Sequence, residues 1–206
     1  MESNNAQAWE SGGIMDPINV IVALNIIATF GANVTTAKKG FRSVITSYKE
    51  KPKSFLQNVP VYFTVITLLA LILGVFRLGV IEYKPEYLTL RTAGLFLYII
   101  FSWVQIWSFK SLGEFYSQEI LIYKDHELIN KGPYKILRHP QYLAQILVDI
   151  GGGLAVMSYL LLPIALIEIP FLIMRAILEE KLLEKNFKER FAEYKKKTGF
   201  LIPFIG

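Results

Sequence analysis

The sequence contains no cysteine and comparatively little charge. Its 206 residues lack cysteine altogether, which excludes a disulfide-stapled secreted domain and a zinc site with thiolate ligands. Charged residues make up 19% of the chain, whereas a typical soluble domain carries about 25%. Apolar residues make up 53%, which excludes an intrinsically disordered chain. With a mean hydropathy of +0.39, the composition favours a membrane protein.

Several long apolar stretches predict helices that cross a bilayer, since about 20 helical residues span its hydrocarbon core. We therefore predict an all-α, polytopic integral membrane protein with about five transmembrane helices. The predicted spans cover residues 18–34, 59–81, 88–109, 142–159 and 160–178. Almost no linker separates the last two spans, which predicts a tight helical hairpin.

Basic residues are distributed unevenly among the segments between these spans. Six of the 22 Lys and Arg residues lie between spans one and two, five lie between spans three and four, and eight lie from Arg175 onward. By the positive-inside rule these segments are cytoplasmic, and the N-terminus with Glu2, Glu10 and Asp16 lies outside. The pI of about 9.2 therefore needs no nucleic-acid partner. We expect the cell membrane in a prokaryote and the endoplasmic reticulum in a eukaryote.

The chain is expected to form a single domain, residues 1–206. Residues 1–111 carry the first three spans. Residues 112–206 form the candidate catalytic region, which contains the hairpin, the linker before it and an amphipathic tail from Leu178. The linker and the tail are expected to enclose a cofactor pocket on the cytoplasmic side.

Polar side chains flank the open end of the predicted hairpin. His139 precedes Pro140, and proline is favoured in the first turn of a helix, so span four begins there. Arg175 and Glu179 end span five and are four residues apart, so they share one helix face with Glu180 beside them. The hairpin therefore predicts that these side chains meet at the membrane surface. The simpler alternative is a set of interfacial anchors and one surface ion pair.

Two acidic residues and three glycines lie inside the predicted hairpin. Asp149 and Glu168 flank the turn at equal distances, so they are placed to face one another and share a proton. In the alternative, each is bonded separately to a neighbouring helix. The glycines at positions 151–153 lack the G-x-G-x-x-G spacing of a nucleotide loop, and they predict close helix packing instead.

The motifs around the hairpin resemble a known family. The pattern G-x-Y-x-x-x-R-H-P-x-Y covers residues 132–142, R-x-x-x-E-E covers residues 175–180, and the hairpin lies between them. In this order they resemble the isoprenylcysteine carboxyl methyltransferases. More broadly, they resemble the integral membrane methyltransferases that include the phospholipid N-methyltransferases. The resemblance extends over about 112–203.

The resemblance implies a methyltransferase that uses S-adenosylmethionine, without a metal, a Rossmann domain or an obligate protein partner. The acceptor is expected to be lipophilic and to enter from the membrane lipids, as the α-carboxylate of a prenylated cysteine would. Arg175 is implied to bind and orient that carboxylate, and Arg175 and Glu179 are the implied catalytic residues. The implied cofactor-binding residues are His126, Glu127, Leu128, Ile129, Tyr134, His139, Pro140, Gln141, Tyr142, Glu179 and Glu180.

Other functions remain open from the sequence. A phospholipid N-methyltransferase or a thiol S-methyltransferase would need a base to deprotonate its acceptor, and Glu179 or His139 is a candidate for that role. An NADPH-dependent sterol-type reductase and a non-enzymatic membrane scaffold are further alternatives. The R-H-P and E-E motifs together favour methyl transfer over both.

Overall fold

The computed structural model describes residues 16–44, 48–203 and 205. The N-terminal acids Glu2 and Glu10, which entered the orientation prediction, lie outside these residues. The predicted all-α character is confirmed, and the only sheet in the described ranges pairs two short strands, β1 (Tyr48–Glu50) and β2 (Ile122–Tyr123). The α-helices found there are α1 (Pro17–Val44), α2 (Val59–Val75), α3 (Leu88–Leu112), α4 (Pro140–Ala155), α5 (Leu161–Phe187) and α6 (Glu189–Lys197).

In the part of the chain that the structure describes, two helical regions are long and apolar enough to cross a membrane. They are Pro85–Phe115, which contains α3, and the whole of α5. The Pro17–Ala32 part of α1 and the helix α2 are apolar but shorter. Large apolar side chains project from the outer faces of these helices, and Ile27, Phe96 and Leu166 are 71%, 62% and 60% exposed. An exposed apolar surface of this extent is typical of a protein whose surroundings are lipid.

The helix ends differ from several predicted span boundaries: α1 continues to Val44 instead of ending at residue 34, and α4 ends at Ala155 instead of residue 159. Helix α2 ends at Val75 instead of continuing to Ile81, because Arg77 and Gly79 adopt the left-handed backbone conformation with φ of 62° and 69°. Helix α5 continues past residue 178, so the prediction that a separate tail starts at Leu178 is wrong. The break comes at Lys188, where φ is 43°. The site residues near position 180 therefore stand on a continuous helix.

The helices run alternately up and down, and Arg91 of α3 joins the N-terminal end of α1, the end of α4 and the segment between α2 and α3 at one end of the bundle. Its guanidinium donates to Asp16 at 2.7 and 3.0 Å and to the Ala155 carbonyl at 3.0 Å, and it lies 3.7 Å from the centre of the Tyr83 ring. Burial opposes ionisation of Asp16, yet the hydrogen bonds from Arg91 hold its pKa below the usual value. This cluster stabilises the end of the bundle opposite the candidate site.

Glycines let α3 and α4 pack closely, as the sequence predicted for residues 151–153. A Cβ added at Gly151 would lie 2.6 Å from the Tyr98 nitrogen, and one added at Gly94 would lie 2.8 Å from the Ala155 nitrogen. A real Cβ cannot approach backbone atoms so closely, so only glycine fits at this crossing. Helix α4 is thereby held against α3, and the Pro140 end of α4 is fixed at the candidate site.

The predicted hairpin of α4 and α5 is confirmed. The chain reverses between Val156 and Leu160, where the Ser158 N–H donates to the Gly153 carbonyl at 2.8 Å. Below the turn the two helices pack through Tyr142, Ile146, Leu172 and Ala176, all of which are buried. The start of α4 and the last third of α5 therefore lie side by side.

Candidate functional site

The linker before α4 is held in place by the C-terminal tail. Backbone N–H groups of Arg138 and His139 donate to the carbonyls of Gly199 and Phe200 at 2.8 and 3.2 Å. The buried Tyr194 hydroxyl of α6 donates to the Tyr134 carbonyl at 2.7 Å. These contacts cover the beginning of α4, and His139 is only 5% exposed.

Glu180 connects the R-H-P motif to α5. It accepts a hydrogen bond from the Arg138 Nε at 2.5 Å and lies 3.3 Å from the His139 Nε2 and 3.4 Å from the Lys195 Nζ. Arg138 also donates to the Thr198 carbonyl at 2.5 Å, so the linker, α5 and the tail meet at this carboxylate. The His139 Nδ1 lies 3.7 Å from Glu179. The predicted convergence of R-H-P and E-E is therefore present in the structure.

A second chain of polar contacts joins α4 to α5 one turn away. The Tyr142 hydroxyl donates to Glu179 and accepts from the Arg175 Nε at 2.7 Å. The Arg175 Nε also lies 3.3 Å from the Glu179 carboxylate. The His139 ring stacks on Tyr142, with the two ring planes 6° apart and their centres at 5.6 Å. These contacts fix the directions of both Tyr142 and Glu179.

The remaining Arg175 nitrogens bind backbone carbonyls that the sequence did not indicate. Nη1 donates to Leu56 and Gln57 at 2.7 and 3.1 Å, and Nη2 donates to Gln118 at 2.6 Å. Arg175 is 4% exposed. Its guanidinium therefore connects α5 to residues 48–58, which we call the strap, and to the linker. The Arg175 guanidinium, which was expected to bind the acceptor, is therefore hydrogen-bonded to backbone carbonyls of the protein itself.

Gln57 of the strap is a site residue that sequence reasoning missed. Its side chain accepts from the Ile120 N–H at 2.7 Å and donates to the carbonyls of Ile120 and Pro52 at 3.0 and 2.9 Å. The side chain thus pairs with the linker as a neighbouring strand would, next to the pairing of β1 with β2. No motif marks Gln57, because its role follows from a contact between residues 63 positions apart.

A cavity of about 140 Å³ lies between the linker, α5 and α6. Most of the residues predicted to bind a cofactor line it, while Pro140 and Glu180 do not, and Arg175, predicted to bind the acceptor, is not in the lining either. The predicted residues in its lining are His126, Glu127, Leu128, Ile129, Tyr134, His139, Gln141, Tyr142 and Glu179. Phe115, Leu182 and Tyr194, which the sequence did not single out, complete part of the wall.

Two features of the lining have particular chemical character. The backbone groups of Glu127, Leu128 and Ile129 form no hydrogen bond with other protein groups in the described ranges, so they are open to a ligand. His126 contacts the rings of Phe115, Tyr123 and Phe187 at centre distances of 5.1 to 5.8 Å. Burial among these rings lowers the pKa of His126 to about 4. The imidazole is therefore neutral at physiological pH.

Burial also raises the pKa of Tyr134 in the cavity lining and of Tyr116. The pKa of Tyr116 rises to about 12, and that of Tyr134 lies well above its usual value. Both hydroxyls therefore stay protonated and can only serve as neutral hydrogen-bonding groups. Glu179 is half-buried at the cavity wall and is one of three acidic residues in the lining, with Glu119 and Glu127.

Comparison with known proteins identifies the region that carries the site. Residues 90–190, just under half of the chain, match the sequence model of the family described as phospholipid methyltransferase. That region is similar to the phospholipid methyltransferase family. It includes nearly all of α3, the linker that follows it, and the whole of α4 and α5.

Individual relatives agree with this assignment. The chain is 39% identical over 82 residues to the protein-S-isoprenylcysteine O-methyltransferase of Saccharomyces cerevisiae, an alignment covering 39% of this chain and 34% of that protein. It is 32% identical over 82 residues to the protein of the same name from Tribolium castaneum, covering 39% and 29%. It is 43% identical over 44 residues to the uncharacterized protein YpbQ of Bacillus subtilis, covering 21% and 26%. The chain thus spans about a third or less of the length of these relatives.

Proposed function

We propose that the protein is an integral membrane methyltransferase that binds S-adenosylmethionine in the cavity and transfers its methyl group to a lipophilic acceptor. The observation that supports this most is the cavity itself, because residues from both family motifs and from the linker before α4 converge on it. The named methyltransferases among the relatives support the same reaction.

The lining suits the chemical groups of this cofactor. The open backbone groups of residues 127–129 are suited to the polar edge of an adenine ring, and the neighbouring aromatic side chains are suited to its faces. Glu179 is suited to the cofactor's hydroxyl or ammonium groups, and Glu180 holds His139 and Arg138 in position behind the wall. When bound, the cofactor supplies a sulfonium-activated methyl group, which a nucleophile displaces without a metal.

The fold and the charge distribution support placement in a membrane. Besides the two regions long enough to span, we propose that α1, α2 and α4 also lie in the bilayer, which would give the five spans expected from the sequence. The cavity lies at the end of the bundle that carries the basic linker and tail. We therefore propose that this end faces the cytoplasm, so that the cofactor enters from water and the acceptor from the bilayer.

For the acceptor we propose the α-carboxylate of a prenylated cysteine or a similar isoprenoid lipid. A carboxylate is already a nucleophile at neutral pH, so catalysis consists of orientation and exclusion of water. A guanidinium binds carboxylates with a planar pair of donors, which suits Arg175 for this orientation. Arg175 would then exchange its bonds to the Leu56, Gln57 and Gln118 carbonyls for bonds to the acceptor.

The proposal is tested by incubating membranes that contain the protein with methyl-labelled S-adenosylmethionine and three acceptors. The acceptors are a farnesylated cysteine, phosphatidylethanolamine and a lipophilic thiol. We expect label on the farnesylated cysteine, released as methanol by mild base because the product is a methyl ester. Base-stable label on the amine or the thiol would instead show N- or S-methylation.

Two glutamates of α5 provide a matched pair of variants for the same assay. Glu179 lines the cavity, while Glu184 is exposed on the same helix. Glu179→Gln is expected to lower transfer strongly, and Glu184→Gln is expected to leave it unchanged. Absence of transfer to every acceptor, or equal activity of the two variants, would contradict the proposed site.

A further inference from the structure

Asp149 and Glu168 form a buried pair of carboxyl groups between α4 and α5, at a distance from the cavity. They are 6% and 1% exposed, and their side chains face each other between the two helices. Neither acid forms a salt bridge with a Lys or Arg residue in the described ranges. Two unpaired carboxylates that face each other would repel strongly in such a setting, so the arrangement requires a proton between them.

The surrounding hydrogen bonds indicate which of the two acids carries that proton. Asp149 is supplied with donors: the Gln145 Nε2 donates to its Oδ2 at 2.7 Å, and Thr67 of α2 also bonds to it. Gln145 is itself oriented by Gln105 of α3, whose Nε2 donates to the Gln145 Oε1 at 2.5 Å. Among the residues that the structure describes, none donates a hydrogen bond to either carboxyl oxygen of Glu168. Asp149 is therefore arranged to accept the hydrogen bond between the two acids, and Glu168 to donate it.

Among the described residues, Tyr98 of α3 is a further titratable group that faces the pair.

The position of the pair along the hairpin links it to the candidate site. Asp149 follows Tyr142 by seven residues, and Glu168 precedes Arg175 by seven residues. Since seven residues make about two helical turns, the two contacts occupy equivalent positions in the same antiparallel register. The apolar contacts of Ile146 and Leu172 lie between them. Apolar side chains tolerate sliding along a helix, whereas a directed hydrogen bond does not.

We propose that Glu168 donates a shared proton to Asp149, and that this bond sets the hairpin register that brings Tyr142 onto Arg175 and Glu179. The two acids are thus positioning residues for the site. Their effect on transfer rests on the proposed function, whereas their protonation does not. The two parts of the proposal can therefore fail separately.

Infrared spectroscopy of the full-length protein in lipid tests the proton directly. At neutral pH we expect a C=O stretching band of a protonated carboxylic acid that shifts in D₂O, disappears in Glu168→Gln and persists in Asp149→Asn. Glu184→Gln, which replaces an exposed acid on the same helix, is expected to leave the band intact. Absence of the band from the unmodified protein would overturn the shared proton. A band lost in Asp149→Asn but kept in Glu168→Gln would overturn the assignment of the donor.

Binding of S-adenosylhomocysteine and methyl transfer test the positioning role. Glu168→Gln keeps an N–H donor for Asp149, so we expect cofactor affinity and transfer close to those of the unmodified protein. Glu168→Ala removes the donor, and the loss of one buried hydrogen bond corresponds to a decrease of about tenfold in both. Equal behaviour of the Ala and Gln variants, whether intact or defective, would overturn the positioning role. If transfer is absent from the unmodified protein while the infrared band and its Glu168 dependence remain, the proposed function fails and the proton assignment stands.

Discussion

Replacing Gln57 by alanine is expected to loosen the cavity wall without touching a family motif. The Gln57 side chain makes three hydrogen bonds, two of them to the backbone of Ile120, which is 2% exposed and lines the cavity. Gln57→Ala leaves the Ile120 N–H without its partner in a dry environment. Leaving a buried donor or acceptor unsatisfied costs about 1–3 kcal/mol, so we expect a loss of about 3 kcal/mol in the free energy of unfolding.

The measurement compares thermal unfolding in detergent or lipid with and without S-adenosylhomocysteine. Asn58 is a matched control, because it is an exposed amide next to Gln57 whose side chain makes no capping bond to α2. Gln57→Ala should unfold several degrees below the unmodified protein and bind the ligand more weakly, while Asn58→Ala should match the unmodified protein in both. If Gln57→Ala and Asn58→Ala behave alike, the strap does not hold the wall in the way described.

Three further predictions concern the bundle and the pH dependence. Gly151→Ala places a Cβ 2.6 Å from the Tyr98 nitrogen, so a marked fall in the unfolding temperature is expected, and an unchanged temperature would contradict close packing of α3 on α4. Asp16→Asn weakens the paired contact with Arg91 and should lower stability by about 1–3 kcal/mol while leaving ligand affinity unchanged; a specific loss of affinity would contradict a purely structural role. The pKa of His126 is about 4 in the folded protein and about 6.5 in an unfolded chain, so the unfolded state binds more protons between these values. The free energy of unfolding should therefore fall as the pH drops from 6.5 toward 4, and His126→Phe should reduce that fall. An identical pH profile in the variant would refute the lowered pKa of His126 as its cause.

The sequence predicted the parts of the fold that depend on local patterns. Apolar stretches marked five helices, and the short separation of the last two marked the hairpin that joins α4 and α5. The glycines at 151–153 and the Pro140 start of α4 were also predicted correctly, because small residues and proline act through local backbone geometry. The end of α2 and the length of α5 were not predicted correctly. Both depend on residues with a left-handed backbone conformation, such as Arg77 and Lys188, and the amino-acid composition does not indicate that conformation.

The site was predictable where one hairpin brings its residues together. Because α4 and α5 are antiparallel neighbours, His139 was expected near Glu179 and Glu180, and the structure brings them together. The strap was not predictable, because its contacts with Arg175 and Ile120 join segments far apart in sequence. The expectation for Arg175 illustrates this limit: its four-residue spacing from Glu179 indicated their contact but not the three backbone carbonyls that it binds.

The most direct test of the central claim is whether the cavity binds the product form of the cofactor. Thermal unfolding of the purified protein in lipid should be measured with S-adenosylhomocysteine, with NADPH and without ligand. A ligand at 100 times its dissociation constant stabilises the folded state by about 2.7 kcal/mol, so S-adenosylhomocysteine should raise the unfolding temperature by several degrees. Glu179→Gln should reduce that rise, and Glu184→Gln should not. No rise at saturating S-adenosylhomocysteine, or a rise with NADPH alone, would contradict a methyltransferase site in this cavity.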